Sequence, residues 1–157
     1  MTKATIQHPI AGINWRAGAL SGYGWAAGNS AQAVHLDDAG DVWESYVIGS
    51  IGSGILERAD LTDQTRMTDS PAPPASGTAL SGYEWAAGNS KQVVYLDSAG
   101  HVHELYVTVG GKWKHADLMD QTRWMVSPAP PASGTALSGY EWAAGNSKQV
   151  VYLDSAG

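Results

Sequence analysis

Tyr-x-Trp occurs three times, as Tyr23-x-Trp25, Tyr83-x-Trp85 and Tyr140-x-Trp142. A glutamate stands 21 residues after each of the first two tyrosines, Glu44 (44 − 23) and Glu104 (104 − 83). Each glutamate is in phase with apolar neighbours, Val42 and Tyr46 in one case and Val102 and Tyr106 in the other. A carboxylate in such company costs free energy unless something pairs with it. Two chemistries meet that demand: a Lys or Arg partner, or the hydroxyls of a bound ligand. The rings likewise have two uses, as packing between repeated units or as a platform for a pyranose ring.

Other constellations are weaker. His101, His103 and His115 invite a metal reading, and the first two share a strand face. Their counterparts upstream are Asp41, Trp43 and Arg58, so the repeat does not keep the set, and no metal site is expected. Asp60 and Asp117 precede Leu in a repeated Ala-Asp-Leu and read as turn or cap residues that pair with Arg66 and Arg123. Asp97-x-x-Gly100 reads as a hairpin turn. It lacks the Ser-x-Asp-x-Gly and following Trp of a sialidase Asp-box. No Ser–His–Asp set, paired catalytic carboxylates or phosphate loop is found, so neither enzyme activity nor a cofactor is expected.

The elements that carry these residues are short strands. In the second copy they are read near Leu80–Ala86, Gln92–Leu96, His101–Val107 and Trp113–Leu118. Tyr83 and Trp85 share a face because side chains alternate across a strand. Gly88-Asn89-Ser90, Asp97–Gly100 and Gly110-Gly111 are the turns. Ser-Pro-Ala-Pro-Pro-Ala-Ser-Gly lacks N–H donors and cannot lie inside a sheet, so it is a connection.

These elements repeat. Ser70–Gly100 and Ser127–Gly157 are identical, at an offset of 127 − 70 = 57 residues. An earlier copy starts at Ala19, offset by 60 from Ala79, with its extra residues in the Gly- and Ser-rich stretch between Val47 and Leu61. Identity over a half-repeat marks a recent or engineered duplication. Four antiparallel strands per unit describe a β-propeller blade. The expected division is a leader at 1–18, blades at 19–78 and 79–135, and a partial blade at 136–157. That is about 2.5–3 blades in an all-β chain. A blade needs a neighbour on both faces, so the ring is expected to be completed by homo-oligomerisation unless the sequence is part of a longer array. Thr5–His8 and Gly12–Trp15 are candidate closing strands.

Composition narrows the function classes. The absence of cysteine removes disulfides, thiolate metal sites and cysteine nucleophiles. A formal net charge of −6 disfavours nucleic acid and anionic membrane, which need a basic footprint. No apolar run approaches the ~18 residues of a membrane span. Met1–Ile10 shows no signal-peptide pattern, which leaves a cytoplasmic or non-classically exported protein as the expectation.

Lys91-Gln92-Val93-Val94-Tyr95-Leu96-Asp97-Ser98-Ala99-Gly100-His101-Val102-His103-Glu104-Leu105, followed by Gly110-Gly111-Lys112-Trp113, resembles a blade of the fungal fucose-specific lectin family and its bacterial relatives. The resemblance implies a six-bladed propeller, in some members assembled from short chains, that binds sugar between blades. In that family an Arg on the second strand and a Glu on the third bind hydroxyls, and a Trp past the next turn stacks on the ring. Glu44 and Glu104 match the Glu, and Trp113 the Trp, where the first copy has Leu56. The Arg positions hold Ala33, Val93 and Val150 instead, which removes a guanidinium that these residues cannot replace. The implied site residues are Glu44, Glu104, Trp113, Trp85, Tyr95 and Trp25, with a monosaccharide or glycan as ligand. The alternative is a structural or engineered repeat that self-assembles without a ligand.

Overall fold

The computed structural model describes residues 15–48 and 55–156. Of the candidate closing strands only Trp15 falls inside that range, and residues 49–54, in the stretch that holds the extra residues of the first copy, lie outside it. Within it the chain forms two four-stranded antiparallel sheets and one two-stranded sheet, each in sequential order. The first comprises β1 (Trp15–Trp25), β2 (Ser30–Asp37), β3 (Val42–Ile48) and β4 (Ile55–Asp60). The second comprises β5 (Leu80–Trp85), β6 (Ser90–Leu96), β7 (Val102–Thr108) and β8 (Lys114–Asp117). The third is β9 (Ala132–Trp142) with β10 (Ser147–Asp154).

Turn chemistry sets these limits. Asn29, Asn89 and Asn146 all sit at φ 47°, a left-handed position that Asn tolerates. Each ends the tight turn after a Tyr-x-Trp strand and starts the next strand at the following Ser. Gly40 and Gly100 close the next hairpin at φ 89° and 80°. A Cβ on either would lie 2.5 Å from a linker carbonyl, that of Ala75 or of Ala132. The close approach is used. Ala75 N–H donates to Gly40 O and Ala132 N–H to Gly100 O, both at 2.8 Å, so each Pro-rich linker is tied to the hairpin behind it.

Two short helices depart from the expected pattern. The fourth strands end at Asp60 and Asp117, and α1 (Leu61–Thr65) and α2 (Leu118–Thr122) follow. The aspartates are N-caps: Asp60 accepts from Asp63 N–H, and Asp117 from Met119 and Asp120 N–H. They do not pair with the arginines as expected. Arg66 reaches Asp63 at 3.0 Å and Arg123 reaches Asp120 at 3.4 Å, one helical turn away. The helices secure the linkers, because Thr65 Oγ1 accepts from Ala72 N–H and Thr122 Oγ1 from Ala129 N–H.

The sheets pack face to face. β1 lies along β5, and β5 along β9, far more extensively than any other pair drawn from different sheets. The sheets therefore fan out from their first strands. Val34, Leu36 and Val42 of the first sheet, with Leu61 of α1, bury against Val93, Tyr95 and Leu105 of the second and Trp113 of the turn before β8. Val94, Leu96 and Val102 of the second, with Met119 of α2, bury against Leu137, Val150 and Tyr152 of the third. The tyrosines need room to do so. Tyr23 lies over Gly82 and Tyr83 over Gly139, and a Cβ on either glycine would come within 2.3 Å of the ring.

The outer face of the first sheet has a different composition. It carries Ala31, Ala33, His35, Ser45 and Leu56 where the second sheet carries Lys91, Val93, Tyr95, Leu105 and Trp113. At the other end, Tyr140, Trp142, Val151 and Leu153 repeat the packing face of the earlier sheets and are 44–55% exposed. No helix among the described residues is long and apolar enough to cross a membrane.

Candidate functional site

Glu44 lies at the centre of β3 on the face turned to the second sheet, and its side chain is 1% exposed. Tyr23 O–H donates to its Oε1 at 3.1 Å and Lys91 Nζ donates to its Oε2 at 2.6 Å. Lys91 comes from β6 of the neighbouring sheet. Its ammonium stands 4.9 Å from the Trp25 ring centre and 5.2 Å from those of Tyr46 and Trp113. One carboxylate and three aromatic rings thus enclose a cation, an arrangement that the ring quadrupoles favour. An open cleft of about 250 Å³ adjoins this cluster, lined by Trp25, Ser30, Glu44, Tyr46, Lys91 and Trp113 among others.

Burial governs the electrostatics. It pushes the Lys91 ammonium below its usual range, and the Glu44 charge and hydrogen bond only partly offset this. Burial pushes the Tyr23 phenol well above its usual range, reinforced by the Glu44 charge and hydrogen bond. The phenol therefore remains a donor.

The geometry recurs at the next interface. Tyr83 O–H donates to Glu104 Oε1 at 3.1 Å and Lys148 Nζ to Glu104 Oε2 at 2.6 Å. Lys148 stands 5.7 Å from the Trp85 ring and 5.2 Å from that of Tyr106. The third wall has no counterpart among the described residues, where the third sheet has two strands. The Lys148 side chain is 28% exposed, against 6% for Lys91. A cleft of about 300 Å³ lies there, lined by Tyr83, Glu104, Met119, Lys148 and Tyr152 among others.

Of the residues singled out in the sequence, Glu44, Trp25 and Trp113 meet in the first cluster, and Glu104 and Trp85 in the second. Tyr95 joins neither. It is fully buried in the core and its hydroxyl donates to Pro73 O at 2.8 Å. Of the three residues at the expected arginine position, Val93 is core at 0% exposure, whereas Ala33 and Val150 are partly buried. Sequence reasoning missed Lys91 and Lys148. The available signal was Asn-Ser-Lys-Gln, present in the two copies that have a sheet before them and replaced by Asn-Ser-Ala-Gln in the one that has none among the described residues. Four further polar atoms repeat: Trp25 and Trp85 Nε1, and Gln32 and Gln92 Oε1, are buried without a hydrogen-bond partner.

Among solved structures, the chain superposes on the BP39L lectin from Burkholderia pseudomallei with a TM-score of 0.62. The match covers 97% of this chain and 38% of the lectin at 18% identity, so the chain spans well under half the length of that protein. The chain is a partial β-propeller. Its sheets are blades, and the clusters of Glu44 and Glu104 lie between blades. AofleA from Arthrobotrys oligospora is similar over 67% of this chain and 27% of its own, at 15% identity and a TM-score of 0.44. No protein-family model and no curated protein matches the chain.

Proposed function

We propose that this partial propeller is a non-catalytic carbohydrate-binding protein whose sites are the clefts between blades. The observation that carries the proposal is the Glu44–Lys91 pair among Trp25, Tyr46 and Trp113 beside a 250 Å³ cleft. Rings supply faces for the C–H surface of a sugar, while a carboxylate and an ammonium bind hydroxyls from opposite ends of the pair. The lysine also answers the loss of the arginine. A cation still stands on a second strand, two residues before Val93 and on the same face. It reaches the glutamate of the preceding blade. The unpartnered indole N–H and amide oxygen of the first two copies add a donor and an acceptor for hydroxyls or water.

Each cleft alone binds weakly, and repetition on one ring multiplies the effect through effective concentration. The exposed face of Tyr140, Trp142, Val151 and Leu153 is the surface on which further blades, from a second copy, would complete that ring. A second reading is favoured by one observation. Trp113 is 6% exposed and Lys91 fills the ring cage, so the cluster also serves as cement for a self-assembling repeat.

The test takes two steps. Light scattering on the purified chain establishes a discrete oligomer, and a glycan array followed by monosaccharide titration against indole fluorescence then reads binding. Saturable binding that Trp25→Ala abolishes, with the oligomer unchanged, is the expected result. A discrete, folded oligomer that binds no glycan would leave the assembly reading standing and end this one.

A further inference from the structure

Three imidazoles and two carboxylates converge at the β6–β7 turn of the second blade, away from the inter-blade clefts. His101 Nδ1 lies 2.8 Å from Asp117 Oδ2. His103 Nδ1 lies 2.9 Å from His115 Nε2, and His115 Nδ1 lies 3.0 Å from Ser70 Oγ. These contacts use the Nδ1 atoms of His101 and His103 and leave both Nε2 atoms over. The His103 side chain is 5% exposed, and its Nε2 is buried without a hydrogen-bond partner. Asp97 Oδ2 is 3.2 Å away but off the hydrogen-bonding direction. One ligand atom each from Asp97, His101 and His103 falls within 4.8 Å of the others.

From this geometry we propose that Asp97, His101 and His103 bind a late first-row divalent cation such as Zn²⁺. Two imidazole nitrogens and one carboxylate oxygen are the donor set of an open zinc site, with water in the fourth position. Ligands about 2.0–2.2 Å from a tetrahedral ion stand about 3.3–3.5 Å apart and do not point at one another. The 3.2 Å separation of His103 Nε2 and Asp97 Oδ2, off axis, already has that form. The outer contacts fit as well. A ligating imidazole donates its other N–H to a carboxylate or another acceptor. Asp117 does this for His101, and His115 does it for His103, with Ser70 behind it. The His101 side chain is 39% exposed and opens the site to solvent.

The first blade shows what the same place looks like without a ligand set. Trp43 stands for His103 and donates its indole N–H to Asp37 Oδ2 at 3.0 Å. An indole nitrogen has a proton and no lone pair to offer a metal. Asp41 and Arg58 replace His101 and His115. The lack of repetition therefore marks a feature particular to one blade, which a reading based on conservation between copies sets aside.

The test titrates Zn²⁺ and Co²⁺ alone into the whole 157-residue chain, read by calorimetry and by the visible spectrum of bound cobalt. One ion per chain is expected, with a cobalt spectrum of low coordination number and a thermal midpoint raised by zinc. His101→Asn changes a partly exposed ligand and spares the core. It is expected to weaken binding at least about tenfold and to remove the thermal shift, with an unchanged circular dichroism spectrum. His103→Gln should do the same, while His35→Asn, on the first blade, should not. Absence of saturable binding overturns the proposal. So does binding whose affinity is the same in wild type, His101→Asn and His103→Gln.

Discussion

The two inter-blade clusters are built from one repeated sequence and differ in how much of the following sheet stands beside them, four strands in the first case and two in the second. Both set a tyrosine O–H and a lysine ammonium on a glutamate at 3.1 and 2.6 Å. Only the first closes the cage, with Trp113, and it leaves Lys91 at 6% exposure where Lys148 keeps 28%. The pair geometry thus needs only the first two strands of the following sheet, whereas the lysine is buried where that sheet also has its third and fourth strands with Trp113 between them. This separation matters for energetics. A buried ion pair gains little against an apolar substitute, yet it is costly to break. An exposed pair is worth little either way.

The largest expected effect breaks one pair at a time. Glu44→Ala strands a buried ammonium and should cost about 3–5 kcal/mol in denaturant unfolding. Glu104→Ala leaves Lys148 able to reach water and should cost about 1–2 kcal/mol. Equal losses would show that the third wall does not control desolvation. Next, Trp113→Leu copies Leu56 of the first blade and should cost about 2–3 kcal/mol. It should also raise the acetylation rate of Lys91 to that of Lys148, as followed by mass spectrometry.

A third pair of variants tests the close approach between blades. Gly82→Ala places a methyl against the Tyr23 ring and should cost about 1–3 kcal/mol. Gly22→Ala, in the same Leu-Ser-Gly-Tyr motif, meets only Gln32 O at 3.7 Å. It should stay within about 0.5 kcal/mol of neutral. If both are tolerated, the blades are not in the contact described.

The smallest effect concerns the Tyr46 wall. Its hydrogen bond to Glu57, at 2.6 Å, is the main cause that holds its phenol up to about 12. Folding therefore favours the protonated phenol. The contribution is complete below about pH 10 and is lost as pH rises through 10 to about 12. Ultraviolet titration should find this late phenol, and Glu57→Gln should bring it down. An unchanged titration in that variant would remove the assigned cause.

Most of the strand plan was legible because local chemistry sets it. Asn and Gly at left-handed positions, Pro-rich linkers and period-two alternation are visible within a few residues of one another. The helices α1 and α2 were missed because five residues are too few to show a helical period; only their capping aspartates were read. Lys91 was missed for a different reason. Its partner Glu44 is 47 residues away and lies in another copy, so neither residue announces the pair. Gly82 is alike, since its need for a bare Cα comes from Tyr23. Tyr95 was chosen by type and position in the repeat, and its burial depends on how the blades and linker meet. Within-blade features can be read in one copy, whereas between-blade features require the packing.

The outer face of the first blade gives the molecule a direction. A face bearing Tyr-x-Trp and Glu asks its successor for a lysine and a bare glycine, and the second and third copies supply both. The first copy offers Ala31 in place of that lysine. Blade-to-blade stacking is a head-to-tail contact, the kind that propagates into rings or filaments as long as each head meets a matching tail. Here the tail is blank. A stack that runs backward through this blade finds, among the described residues, no lysine at the repeated position to hand to the glutamate behind it. The repeated contact is therefore polar, and a contact made across this face has to use other chemistry.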